Sequence, residues 1–285
     1  MSKTPRLLAV DLDGTLLDSS GVPHVEDVRA IRAAIAAGVH VSIITGRLYS
    51  GTRASSEALG LIGPVGCVDG SHVVSSKTHT TLMHHSVREG NALKLRDIIA
   101  QSEAASFIFA RDAIIHDDSG NPYLNYVTTW SCDVRRVKSV AEDETWSGDE
   151  GVTAVVAIGT AAQISEAVDG IQRHLGEHAQ AAMFPIRRVT LPGGSAWGVV
   201  VRATGKNKGS ALGWIAEHHG IDISETVAVG DWINDVPMFM VAGRSFVMGQ
   251  APDEVKKIGS DVLEETSETG GGIARVVRDV FGVRY

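Results

Sequence analysis

Leu7-Leu8-Ala9-Val10-Asp11-Leu12-Asp13-Gly14-Thr15 constrains the fold more than any other stretch of this 285-residue chain. Four apolar residues run into two carboxylates, two residues apart, and then into a Gly-Thr turn. A short apolar run without alternation, closed by a turn signal, suits a central parallel strand buried on both faces. In open sheets of that kind the ligand crevice lies outside the carboxyl ends of the strands, where Asp11 and Asp13 would emerge. Carboxylates beside a buried strand end are costly unless cations or hydrogen bonds compensate them. Two within three residues point to a built site rather than to an ordinary acidic turn.

The chain around this stretch alternates helix and strand signals. Val25, Val28, Ile31 and Ile35 recur at helical spacing, and Gly38 stands where a helix end favours positive φ. Val39–Ile44 reads as a second strand opening into Thr45-Gly46-Arg47. A helix around Ser50–Leu59 then leads to a third strand at Pro64–Val68. The last third resumes the pattern, with a helix near Lys208–His219 and a strand at Thr226–Val229 that ends in Gly230-Asp231. A short helix through Pro237–Val241 and a strand at Phe246–Met248 follow. Such alternation implies parallel strands joined by right-handed crossovers.

The middle of the chain differs. A long helical stretch (Val87–Ala104) precedes two close strand-like runs, Phe107–Phe109 and Ala113–Ile115. Further strands are expected at Val152–Ile158, near Arg188–Leu191 and at Trp197–Val201, with a helix at Ile164–Leu175. Successive strands with few helices between them favour an antiparallel sheet backed by helices. The expected organisation is therefore an α/β core from residues 1–81 and 204–285, with an inserted α/β domain over 82–203. The acidic stretch Glu142–Glu150 reads as a solvated loop. Trp197 and the aromatic residues near Tyr123–Trp130 suit a sugar-lining surface but read better as core of the insert. His84-His85 and His218-His219 are adjacent pairs that cannot share a helix face as metal ligands; they read as exposed. Arg187 and Arg188 suit either an anionic substrate tail or a solvated strand edge.

Charge narrows the partners. A formal net charge of -8 argues against a general nucleic-acid binder, which needs a basic face. It leaves open a local pocket where a few cations receive an anionic substrate. Two cysteines, Cys67 and Cys132, are too few for a disulfide framework or a thiolate zinc site. No apolar stretch approaches membrane-spanning length, and Asp11 breaks the first one too early for a signal peptide. A soluble cytoplasmic protein without a membrane or nucleic-acid partner is expected.

Four distant segments converge at the expected strand ends: Asp11 and Asp13; Thr45 with Gly46; Lys208 with Gly209; and Gly230-Asp231-Trp232-Ile233-Asn234-Asp235. In order and residue type they resemble the motifs of the haloacid dehalogenase-like phosphotransferase superfamily. Asp11–Leu16 matches D-x-D-G-T-[LV], Thr45 matches the hydroxyl after an apolar strand, Lys208 precedes a glycine and a helix, and Gly230–Asp235 matches G-D-x-x-N-D. An insert between the Thr45 and Lys208 segments resembles the Cof-like subgroup, which implies a Rossmann-like parallel-sheet core with an inserted α/β cap.

The resemblance implies phosphoryl transfer, and each residue type suits a part of it. The reaction needs an in-line nucleophile and neutralisation of charge on the phosphoryl oxygens. Asp11 can attack phosphorus and form an aspartyl-phosphate. Asp13 can protonate the leaving oxygen and later deprotonate water. Thr45 and backbone N–H groups such as that of Gly46 can bind phosphoryl oxygens, and Lys208 can neutralise both phosphate and Asp11. Two carboxylates about 4 Å apart repel by roughly 4 kcal/mol at an effective dielectric near 20, so the cluster calls for a hard divalent cation such as magnesium (Mg2+). The ligands implied are Asp11, the backbone carbonyl of Asp13, and Asp231, with Asp235 orienting metal-bound water and Asn234 touching the phosphoryl group or the lysine.

The expected function is a magnesium-dependent phosphatase acting on a small phosphorylated metabolite such as a sugar phosphate. A phosphomutase using the same intermediate and an inactive metabolite-binding module are the alternatives. Two departures from the family pattern stand out: Asp69-Gly70-Ser71 in place of Asn-Gly-Ala, and bulky Trp232 where a small residue is usual.

Overall fold

The computed structural model describes residues 4–191 and 194–285. The first third forms β1 (Leu7–Val10), α1 (Val25–Ala36), β2 (His40–Ile43), α2 (Tyr49–Leu59), β3 (Pro64–Cys67), β4 (His72–Ser75) and β5 (Thr81–His84). The middle forms α3 (Glu89–Gln101), β6 (Ala105–Ala110), β7 (Ala113–His116), α4 (Leu124–Val127), β8 (Val134–Arg136), β9 (Ala154–Gly159), α5 (Ala161–Leu175), β10 (Ala179–Leu191) and β11 (Gly194–Ala203). The remainder forms α6 (Lys208–His218), β12 (Thr226–Gly230), α7 (Val236–Val241), β13 (Arg244–Val247), α8 (Asp253–Lys256), β14 (Asp261–Val262) and α9 (Gly272–Phe281).

Two compact units result. One comprises residues 1–46, 53–83 and 207–285; the other comprises 47–52 and 84–206. In the first, five parallel strands run in the order β14-β13-β12-β1-β2. Leu7, Leu8, Ala9 and Val10 are all buried, so β1 is covered on both faces, as its unbroken apolar run requires. Leu7 and Ala9 pack with Ala228, Leu212, Ile215, Met238 and Phe239, which brings α6 and α7 against the sheet. The register sets up the site. Val10 stands opposite Val229 on one side and Ile43 on the other, so β1, β12 and β2 end level. Their next residues, Asp11, Gly230-Asp231 and Ile44-Thr45, emerge along one edge.

The last helix is fixed by a remote carboxylate. Asp27 of α1 is buried and accepts hydrogen bonds from the backbone N–H of Gly271 (3.0 Å) and Ala274 (2.8 Å). The helix therefore gains from another element the N-terminal acceptor that Gly270-Gly271 does not supply.

In the second unit six strands run in the order β10-β11-β9-β6-β7-β8, antiparallel except for the β7–β8 pair. Leu95 and Ile99 of α3, and Ile164, Ala167 and Ile171 of α5, share one core with Val155, Ala157, Val199 and Val201, and Trp197 packs against it. Three local expectations need correction. The acidic stretch is not simply a solvated loop: Glu144–Ser147 forms a turn of 3-10 helix that buries Trp146, whose indole N–H donates to the Val140 carbonyl at 2.7 Å. His84 and His85 are half-buried rather than exposed, and His84 is hydrogen-bonded to Thr153 Oγ1 at 2.9 Å. In the first unit His219 is half-buried, its ring 4.1 Å from that of His40. The side chains of Arg187 and Arg188 lie outside the described residues.

Candidate active site

All eight residues singled out above lie in the first unit, and most meet at the carboxyl ends of β1, β12 and β2. Lys208 is the first residue of α6, a position fixed by a capping box in which Asn207 Oδ1 accepts from Ser210 N at 2.9 Å. Its ammonium is almost fully buried, at 1% exposure, between two carboxylates: Nζ donates to Asp11 Oδ1 at 2.5 Å and to Asp235 Oδ1 at 2.6 Å. A buried lysine is tolerated only when paired. Burial alone would lower its pKa, but Asp11, Asp235 and Asp69 outweigh that and hold it protonated beyond the ordinary lysine range.

The carboxylates are unequal. Asp235 is wholly buried; besides Lys208 on Oδ1 it accepts the backbone N–H groups of Asp231 and Trp232 on Oδ2, both at 2.9 Å. It thus fastens the Asp231–Asp235 loop to the lysine. Gly230 makes this possible, because a β-carbon there would stand 2.5 Å from Asp235 Cγ. Asp231 is held by Thr15 Oγ1 at 3.2 Å and by Gln250 Nε2 at 3.4 Å. Gly14, at φ +80°, leaves it room: a β-carbon would lie 2.6 Å from Asp231 Oδ2. The contact of Thr15, a residue of the first motif, and the whole of Gln250 escaped the sequence reading.

Asp11, Asp231 and Asp235 each place an oxygen within 4.8 Å of the others. Burial, reinforced by Asp235 and Asp231 against the pull of Lys208, pushes Asp11 well above the carboxylate range. Burial and Asp235 push Asp231 up to about 7. One lysine therefore leaves the cluster short of positive charge, and an all-oxygen donor set fits a hard divalent cation. Asp13 differs: its side chain is exposed and is not part of the three-carboxylate cluster. Thr45 is buried at the end of β2, its N–H donating to Gly66 O at 2.9 Å, and Gly46 follows it. Asn234 turns its amide to another partner than the lysine: its Nδ2 donates to Asp69 Oδ1 at 2.9 Å. Trp232, between the site carboxylates in sequence, is 46% exposed.

A parallel sheet with paired aspartates at one strand end, a buried helix-starting lysine and a carboxylate loop at the neighbouring strand end has the charge arrangement that phosphoryl transfer needs. The sequence profile of the haloacid dehalogenase-like hydrolases matches residues 8–277. The chain belongs to that family, in its Cof-like subgroup. It is 26% identical to the phosphatase YwpJ of Bacillus subtilis, over 93% of this chain and 96% of the relative. It is 25% identical to the pyridoxal phosphate phosphatase YbhA of Escherichia coli, over 93% and 95%. The fold is similar to the crystal structure of a haloacid dehalogenase-like hydrolase from Bacteroides thetaiotaomicron, with a TM-score of 0.81 at 19% identity, covering 98% of this chain and all of the other. Among the described residues no helix is long and apolar enough to cross a membrane.

Proposed function

We propose that the protein is a magnesium-dependent phosphatase that hydrolyses a small phosphorylated metabolite through an aspartyl-phosphate on Asp11. The observation that carries this reading is the buried Lys208 bridging Asp11 and Asp235 inside a three-carboxylate cluster. The names of the two relatives, a phosphatase and a pyridoxal phosphate phosphatase, support the substrate class.

In the first half-reaction a carboxylate oxygen of Asp11 bonds to phosphorus as the bond to the substrate oxygen breaks. Asp13, exposed on the solvent side, gives that oxygen its proton. In the second, Asp13 takes a proton from water as it attacks the phosphorus, and the bond between phosphorus and Asp11 breaks, releasing inorganic phosphate. Thr45, the Gly46 N–H and Asn234 hold phosphoryl oxygens, while Lys208 neutralises them together with Asp11. Asp11, the Asp13 backbone carbonyl and Asp231 would hold the cation, with Asp235 bracing the loop. When bound, Mg2+ supplies positive charge to the carboxylates and the phosphoryl oxygens.

A panel of phosphorylated metabolites assayed with Mg2+ tests the function. Inorganic phosphate is expected one for one with substrate consumed. Isomer formation without phosphate would indicate a mutase, and tight binding without turnover a binding module.

Asp13→Asn separates acid catalysis from binding. The variant is expected to lose about 10²–10⁴-fold on alkyl phosphates, whose leaving oxygen needs a proton, and much less on activated aryl phosphates. Equal losses on both would remove Asp13 from the acid role.

Metal dependence should follow pH with a defined sign. Asp231 is raised to about 7, so between its unfolded value near 4 and about 7 the folded protein binds more protons than the unfolded chain. Without metal, stability is therefore lost as pH rises across that window. Excess Mg2+ should restore it, by about 2.7 kcal/mol at a hundredfold excess over the dissociation constant. Melting curves should show a larger magnesium shift at pH 8 than at pH 5, and Asp231→Asn should abolish most of it. A magnesium shift of the same size in Asp231→Asn would place the metal elsewhere.

A further inference from the structure

We propose that Asp69 is a positioning residue of the phosphoryl site, one that fixes the amide of Asn234 and, as a negative charge beside the site, speeds the departure of inorganic phosphate. The inference rests on the reading that Thr45, Gly46, Asn234 and Lys208 receive the phosphoryl group.

Strain marks the segment. After β3 the backbone passes through three consecutive left-handed residues, Val68 at φ 48°, Asp69 at φ 47° and Gly70 at φ 91°. For a β-branched valine this conformation is a genuine outlier, and such outliers persist only where the surroundings over-determine them. Here they do: the Asp69 N–H donates to the Thr45 carbonyl at 2.9 Å and the Ser71 N–H to the Val68 carbonyl at 3.1 Å. The turn leaves the Asp69 side chain buried, at 8% exposure, where it meets Asn234.

Four candidate ligands adjoin it. Its backbone is tied to Thr45. Its Oδ1 lies 3.4 Å from where a β-carbon of Gly46 would stand, which is van der Waals distance. The same Oδ1 accepts from Asn234 Nδ2 at 2.9 Å. Lys208 feels its field as the third carboxylate after Asp11 and Asp235. A carboxylate accepts and never donates, so it fixes Asn234 with the NH2 side towards itself. It also sets a unit negative charge next to groups that bind a phosphate anion, which opposes retention of the product.

Two substitutions separate the two parts. Asp69→Asn keeps an acceptor for Asn234 and removes the charge, and asparagine tolerates the left-handed backbone. Asp69→Gly removes both and relaxes the backbone, so neither variant adds strain at this position. With an aryl phosphate substrate and Mg2+, inhibition constants for inorganic phosphate and kcat are measured in all three proteins. The inhibition constant is expected to fall about tenfold in Asp69→Asn, and kcat in Asp69→Gly to lie about tenfold below that of Asp69→Asn. An unchanged or higher phosphate inhibition constant in Asp69→Asn overturns the charge role; equal kcat in the two variants overturns the positioning role. Absence of competitive phosphate inhibition in both the parent and Asp69→Asn overturns the phosphoryl-site reading itself, and with it the role of Asp69.

Discussion

Asp11→Asn protein is expected to lose at least about 10⁴-fold in kcat, the scale of loss when a covalent nucleophile is removed. The amide has nearly the same shape as the carboxylate but cannot attack phosphorus. Its effect on stability should run the other way. Burial and two neighbouring carboxylates disfavour the ionised form of Asp11 in the folded protein, while Lys208 only partly compensates. A neutral isostere removes that cost, and Lys208 keeps its bond to Asp235. Freed of divalent cations, the variant should therefore melt no lower than the parent. Residual activity within tenfold of the parent would contradict the nucleophile, and a large fall in melting temperature would contradict the electrostatic account.

Lys208→Met should have the largest effect on stability. Removing one partner of a buried ionic cluster leaves the others uncompensated, at a cost of about 3–5 kcal/mol. Here the remaining groups are Asp11 and Asp235, each bonded to Nζ, with Asp231 close by. The loss, read from denaturant unfolding in chelator, should shrink when Mg2+ is added, because the cation supplies part of the missing charge. Activity should fall by about 10²–10³-fold, the usual effect of losing one group that stabilises developing charge. If the methionine variant unfolds at the parent's denaturant midpoint in chelator, Lys208 does not compensate the cluster.

Asp11 and Asp231 were legible in the sequence because each follows a short apolar run. The run Leu7–Val10 announces both its strand and Asp11; Thr226–Val229 does the same for Asp231. What escaped was fixed by partners far along the chain. Thr15 and Gln250 steady Asp231 from 216 and 19 residues away; Thr15 lies in the first motif, but no local pattern distinguishes Gln250 from other polar residues. The pairing of Asn234 with Asp69 spans 165 residues. Helix α9 follows two glycines, and its N-terminal acceptor is Asp27 in α1. Trp146 turned an acidic stretch into structure: one buried indole outweighs the solvation of its neighbours.

The central claim is the covalent step on Asp11, and chemical trapping tests it most directly. Protein quenched during turnover is treated with borohydride, which reduces an acyl phosphate to an alcohol, and the peptides are then weighed by mass spectrometry. The account predicts homoserine at position 11, dependent on substrate and Mg2+, and nowhere else. Reduction at another carboxylate, or sustained phosphate release with position 11 unmodified, would contradict it.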